Sequence, residues 1–235
     1  MPLLSETSKP GLASEDMFRA THRSWMLDRI QSGEQSEVIR HVMAVYSQPL
    51  QAYIARSRYV RIGEPAEIVN GFFANRLSQP NYLERWHEDG RLLRDWLRVG
   101  LIFWAREFTR RENKQRGIPS LPDSIIGEER EPHEKMQNAF AANITRLAME
   151  ETAEACRAAG QEPHWRAFCL HYYEGLSYRA VGSELGLTDT QAEVRAHAPR
   201  RRFRRALRGH LQRDGIAPEN LDRELKALID DLRLK

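Results

Sequence analysis

The sequence predicts an all-α protein of two small helical domains joined by a flexible linker. Three observations point there. Apolar residues recur at spacings of three and four along most of the chain, with no convincing strand, repeat or low-complexity block. The clearest break, 117–132, holds Pro119, Pro122, Gly127 and Pro132 with the acidic Glu128, Glu129 and Glu131. Beyond it, a short helix, a glycine turn and a capped helix follow in immediate succession.

Residues 1–17 carry Pro2, Pro10, Gly11 and several serines and read as a disordered tail. Phe18 to Ile30 has helical spacing and ends at Gly33. A second helix is expected from about Glu34 to Ser57, on the stripe Val38, Val42, Val45, Tyr46, Leu50, Tyr53 and Ile54. Pro49 should kink or split it, because proline removes one ladder hydrogen bond. A third helix starts near Pro65, a good first-turn residue, and buries Ile68, Val69, Phe72, Phe73 and Leu77. Asn81 to Gly90 reads as a polar connection, and a long helix runs from about Arg91 to Gln115. These elements, 18–116, form the first lobe. After the linker a helix is expected from His133 to about Ala159, then one at Trp165–Glu174. Ser177–Leu185 and Asp189–Leu211 complete a second lobe, 133–212, and an amphipathic segment at Glu219–Leu232 lies in a C-terminal extension, 213–235. Reading order and linker length permit the lobes to be either clasped or separate.

Composition narrows the class. With 41% hydrophobic residues and a net charge of +3, the chain of 235 residues has material for a core and is not a disordered polyelectrolyte. No apolar run is long enough for a transmembrane helix, and the first 16 residues lack the pattern of a secretory signal. Two cysteines, Cys156 and Cys169, cannot make a disulfide framework or a four-ligand zinc site. A soluble, cytoplasmic protein is expected. No catalytic constellation, metal site or phosphate-cradling loop is legible, so neither an enzyme nor a cofactor is expected.

The small net charge hides an uneven distribution. From Arg195 to Arg213 there are eight arginines and no Asp or Glu, which suits a polyanionic partner. The tract continues the helix that follows the run Gly175 to Thr190. In that run Ser177 and Thr188 or Asp189 can cap two helices, Gly182 allows their close approach and Gly186 makes the turn. This is a helix-turn-helix pattern, whose second helix can enter a DNA major groove.

Here the sequence resembles the extracytoplasmic-function group of bacterial RNA polymerase sigma factors, in the sigma-70 family. The run Gly175-Leu-Ser-Tyr followed by Leu185-Gly186 and the basic stretch from His197 through Arg200 and Arg204 is similar to sigma region four. Glu67-Ile-Val-Asn70-Gly71-Phe72-Phe73 resembles the clamp-docking helix of region two. Trp96-Leu97 and Glu107-Phe-Thr-Arg110-Arg111 resemble the opening and close of its DNA-binding helix. The resemblance covers about residues 20–210 and implies a non-enzymatic subunit that docks on core RNA polymerase and recognises promoter DNA. It implies −10 recognition by the first lobe and −35 recognition by the second, with an anti-sigma or other regulatory protein as a further partner class.

Carried onto this chain, it puts polymerase contact at Glu67 and Asn70. It puts DNA contact at Arg106, Arg110, Arg111 and Lys114 in the first lobe. In the second lobe it nominates Gln191, Glu193, Arg195, Arg200, Arg201, Arg202 and Arg204, with Gln191 and Glu193 as base-edge readers. Opening of −10 DNA needs aromatics for unpaired bases, and Trp86, Trp96, Phe103 and Trp104 are available. Four departures from the family pattern stand out. Gly71 replaces an acidic residue, Phe103 sits where asparagine is common, Glu193 stands where lysine is common, and Pro199 should kink or end the recognition helix. Two alternatives stay open: a polymerase-independent helix-turn-helix regulator, and a sigma-like protein that has lost promoter recognition.

Overall fold

The structure is a computed structural model and describes residues 25–79, 81–115 and 130–233. The expected tail and the linker residues 117–129 lie outside the described residues. Every regular element among the described residues is helical. Helix α1 covers 25–31, α2 is Gln35–Arg56 and α3 is Pro65–Arg76. Then come α4, Tyr82–Asp89, and α5, Leu93–Gln115. The second half has α6 (Arg130–Ala158), α7 (Glu162–Phe168), α8 (Tyr178–Leu185), α9 (Asp189–Arg213) and α10 (Pro218–Arg233). A 3-10 turn, Arg58–Ile62, follows α2, and a π-type turn, Cys169–Tyr173, extends α7.

The apolar stripes predicted for α2 and α3 lie in the core, whereas Phe103 and Phe108 of α5 are exposed. Val38, Val42, Val45, Tyr46, Leu50, Tyr53 and Ile54 of α2 are all buried, as are Ile68, Val69, Phe72 and Phe73 of α3 and Leu77 beyond its end. Four expectations need correction. Residues 81–90 are not a mere connection: α4 forms because Leu83 and Trp86, three residues apart, both bury, and the Trp86 indole donates to the Arg91 carbonyl at 2.8 Å. Helix α6 starts at Arg130, so Pro132 sits in its first turn, where a missing N–H costs nothing. The helix placed at Trp165–Glu174 begins earlier, at Glu162, and gives way to the π-type turn. Finally, neither Pro49 nor Pro199 ends its helix.

Pro49 has a traceable compensation. Proline lacks the N–H that would reach the carbonyl four residues earlier, that of Val45. Asn143, buried on α6, donates its amide to the Val45 carbonyl at 2.8 Å and to that of Ala44 at 2.9 Å. An orphaned acceptor in a buried helix is thereby satisfied from across the interface.

Helix α6 packs along α2 and also along α9, so one apolar cluster runs through both halves of the chain. The seam carries buried charge. Asp214, fully buried at the end of α9, accepts at Oδ1 from the Tyr46 hydroxyl (2.9 Å) and the Arg94 backbone N–H (3.0 Å). Its Oδ2 lies 2.8 Å from Arg94 Nη1, and its carbonyl accepts from the Leu93 N–H at 2.8 Å. The Arg94 guanidinium lies over the Phe140 ring, which also stacks on Tyr46. Burial pushes the Asp214 carboxyl up to about 6, against the opposing pull of Arg94 and Tyr46. Nearby, His41 and His210 stack, and His210 Nε2 is 3.0 Å from Glu151. Burial, with Arg213 and His210 adding, lowers the His41 pKa to about 3.

Candidate nucleic-acid interface

Two surfaces combine positive charge with accessible recognition groups. The first is a groove between the end of α3, the start of α4 and the middle of α5. It has a volume of about 320 Å³ and is walled by Tyr82, Trp96 and Phe103 among Arg76, Arg85 and Arg91. None of its lining residues is acidic. Phe103 is 53% exposed, an unusual state for a phenylalanine on a helix that buries Leu97, Leu101 and Ala105. Tyr82 can lie across α5 because residue 100 is glycine; a Cβ there would collide with the Tyr82 hydroxyl. The Tyr82 hydroxyl and the Trp96 indole nitrogen are both buried without a hydrogen-bond partner of good geometry. Burial raises the Tyr82 pKa, so the phenol stays protonated and can donate.

A smaller cleft of about 130 Å³ continues the groove past Arg76 and Gln79, between Asn75, Trp104, Glu107, Phe108 and Arg111. The rings of Trp104 and Phe108 stack 5.4 Å apart. The cleft also accounts for Gly71. A Cβ at that position would sit 3.1 Å from Trp104 Cη2, tighter than ordinary contact, so glycine lets the indole pack on α3.

The first-lobe candidates divide. Trp86 is core, at 1% exposure, and does not face the groove. Arg106 is half-buried and donates from Nε to the Tyr59 hydroxyl at 2.9 Å. Arg110 and Lys114 are exposed, and so is Arg111, which pairs with Glu107 at 2.6 Å. Sequence reasoning did not single out Tyr82, Arg76, Arg85 or Arg91. Their signal was the alternation of aromatic and arginine residues around 82–96, hidden by reading that segment as a connection. Glu67 and Asn70 stand on the exposed side of α3, away from its buried Ile68, Val69, Phe72 and Phe73.

The second surface is the pair α8 and α9. Ser177 accepts from the Ala180 N–H and caps α8. Gly186 takes a left-handed conformation (φ 67°), closing the turn. Gly182 lets the turn lie on α8, since a Cβ would meet the Leu187 carbonyl at 2.7 Å. Thr188 caps α9 through a reciprocal pair: its hydroxyl accepts from the Gln191 N–H, and the Gln191 side chain accepts from the Thr188 N–H. Gln191 thus uses its side-chain oxygen in the cap and is itself exposed.

The arginines of α9 also divide. Arg202 turns inward, donating to Gln161 Oε1 at 2.7 Å and Cys156 Sγ at 3.3 Å, so it ties α9 to the α6–α7 corner. Arg200 lies over the Tyr172 ring at 5.5 Å. Arg201, Arg204 and Arg205 are exposed, and Arg195 is half-buried. Glu193 is exposed, 3.8 Å from His197, and the neighbouring Val194 is 63% exposed. A continuous helix through Pro199 keeps these groups on one rod. In comparison with known proteins, no family model, curated protein or solved structure matches this chain.

Proposed function

We propose that the chain is a sigma factor, a non-enzymatic subunit that directs core RNA polymerase to promoters. The observation that supports this reading is the presence of two different surfaces on one chain, an arginine-lined aromatic groove and the capped helices α8 and α9 with the tight turn between them. Stacking on aromatic rings holds unpaired bases at about 1–3 kcal/mol each, and arginines track the phosphates. The groove then takes the separated strand of the −10 element, with Tyr82, Trp96 and Phe103 as stacking surfaces. Arg76, Arg85, Arg91, Arg110, Arg111 and Lys114 supply the positive field. The helix-turn-helix takes the −35 duplex, with Arg201, Arg204 and Arg205 on phosphate. Glu193 is placed near the start of α9, where a carboxylate can accept from a cytosine amino group. Glu67 and Asn70 are the proposed polymerase contacts. A stand-alone regulator accounts for the second surface and leaves the first without a purpose.

The test is a gel shift on a randomised duplex pool, with and without core RNA polymerase. Tight, sequence-selective binding only with polymerase supports the proposal. Equally tight binding by the chain alone would make it an independent helix-turn-helix regulator.

A further inference from the structure

We infer that Arg200 is a fixed phosphate anchor of the α8–α9 surface, that Tyr172 is the positioning residue that holds it, and that the paired hydroxyls of Tyr172 and Tyr178 offer the same phosphate a further donor. The inference rests on the duplex binding proposed above for that surface. Two half-buried arginines of α9 are held in opposite ways. Arg202 donates its N–H groups to Gln161 and Cys156. Arg200 is held by its face instead, with Cζ 5.5 Å from the centroid of the Tyr172 ring. A guanidinium carries all its donors in its own plane, so a ring beneath it leaves them available for a bidentate phosphate. Among the described residues the ion pairs of α9 involve His197, Arg208 and His210, and Glu193 is directed to His197. Arg200 therefore keeps its positive charge for a partner. Holding a long side chain in place beforehand also lowers the entropy lost when that partner binds.

The tyrosines are themselves braced. Tyr172 belongs to the π-type turn, where the Glu174 N–H reaches the Cys169 carbonyl, five residues back, at 3.0 Å. That wider turn adds a residue to the helix end, an insertion that recurs at functional sites. Phe168 packs on the Tyr172 ring at 5.2 Å, and His171 meets it edge-on at 4.5 Å. His171 is fixed in turn: its Nδ1–H donates to the Leu176 carbonyl at 2.7 Å, and its ring stacks on Tyr178 at 3.8 Å. Tyr178 opens α8, and its hydroxyl lies 3.2 Å from that of Tyr172. One proton lies between the two oxygens, and the second hydroxyl proton remains to be donated. Burial, together with the Tyr172 hydrogen bond, raises the Tyr178 pKa against the pull of Arg200. The phenol thus stays protonated beside the guanidinium, and both present donors to one anion.

The experiment is fluorescence anisotropy of a labelled random-sequence duplex across a salt series, run on the chain alone and on its complex with core RNA polymerase. In the form that binds, Arg200→Ala should weaken affinity several-fold and lower the salt slope by about 0.9, the share of one phosphate. An unchanged slope overturns the anchor. Tyr172→Leu should weaken binding by the otherwise wild-type chain and add nothing in an Arg200→Ala background, whereas Tyr172→Phe, which keeps the ring, should retain most of the affinity. Equal losses from Tyr172→Leu in both backgrounds would make its role merely structural and overturn the positioning. Removing both hydroxyls, Tyr172→Phe with Tyr178→Phe, should lower affinity at an unchanged slope; unchanged affinity takes the hydroxyls out of the site. Circular dichroism confirms that each variant is folded. Equally tight binding by the chain alone overturns the sigma-factor reading and leaves the Arg200 slope to decide this inference. No duplex binding in either form overturns both.

Discussion

Asn143 on α6 donates to the carbonyl of Val45 on α2, the acceptor that Pro49 leaves without its helix partner. Two imperfections in sequence pattern, a proline inside one apolar helix and a buried amide in another, thus satisfy each other across the middle of the molecule.

Replacing Asn143 with Ala should strand that carbonyl and destabilise the fold by about 1–3 kcal/mol, the cost of a buried unsatisfied polar group. In a Pro49→Ala background the helix ladder supplies its own donor, so the same substitution should cost less. Urea denaturation of the four proteins in this cycle measures the coupling. Equal costs in both backgrounds would separate the two residues energetically.

The pH dependence of stability follows from two buried groups of opposite sign. His41 is lowered from 6.5 to about 3, so the unfolded chain binds its proton more readily and stability falls as pH drops below about 6.5. Asp214 is raised from 3.8 to about 6, so the folded chain binds that proton more readily and stability gains as pH drops from 6 towards 3.8. Between those limits the two slopes oppose. The wild-type profile should therefore be nearly flat over that window with respect to this pair. His41→Asn should turn it into a rise towards acid, readable by denaturant midpoints from pH 7 to 4.

The inward turn of Arg202 separates it from its neighbours. Arg201→Ala and Arg204→Ala should each lower duplex affinity of the polymerase complex and reduce the salt slope by about one. Arg202→Ala should leave the slope alone and lower the melting temperature, because it removes the ties to Gln161 and Cys156. Fluorescence anisotropy across a salt series, paired with calorimetry, distinguishes the two effects.

Phe103 is exposed and packs little, so Phe103→Ala should leave thermal stability within about 0.5 kcal/mol. The same change should weaken binding of single-stranded DNA by the polymerase complex by about 1–3 kcal/mol, the value of one stacked base. Competition with a labelled single-stranded oligonucleotide reads the effect. Unchanged affinity would remove the groove from nucleic-acid binding.

Much of the fold was legible because its causes are local. The stripes of α2 and α3 and the caps at Ser177 and Thr188 follow from residues three or four positions apart. The Thr188–Gln191 spacing was itself a capping-box signature, and it places the Gln191 side-chain oxygen in the cap. What stayed hidden depends on contacts distant in sequence. Gly71 has its reason in Trp104, Pro49 in Asn143, and Asp214 in Tyr46 and Arg94. Helix α4 was missed because eight residues with two buried side chains give too short a period to recognise. With it went the groove, whose walls α4 helps to place.

Retention on immobilised core RNA polymerase tests the proposed sigma-factor function most directly. At moderate salt the wild-type chain should be retained, and a charge reversal at Glu67 with Asn70→Ala should weaken retention at least several-fold. Failure of the wild-type chain to associate with core polymerase would contradict the account.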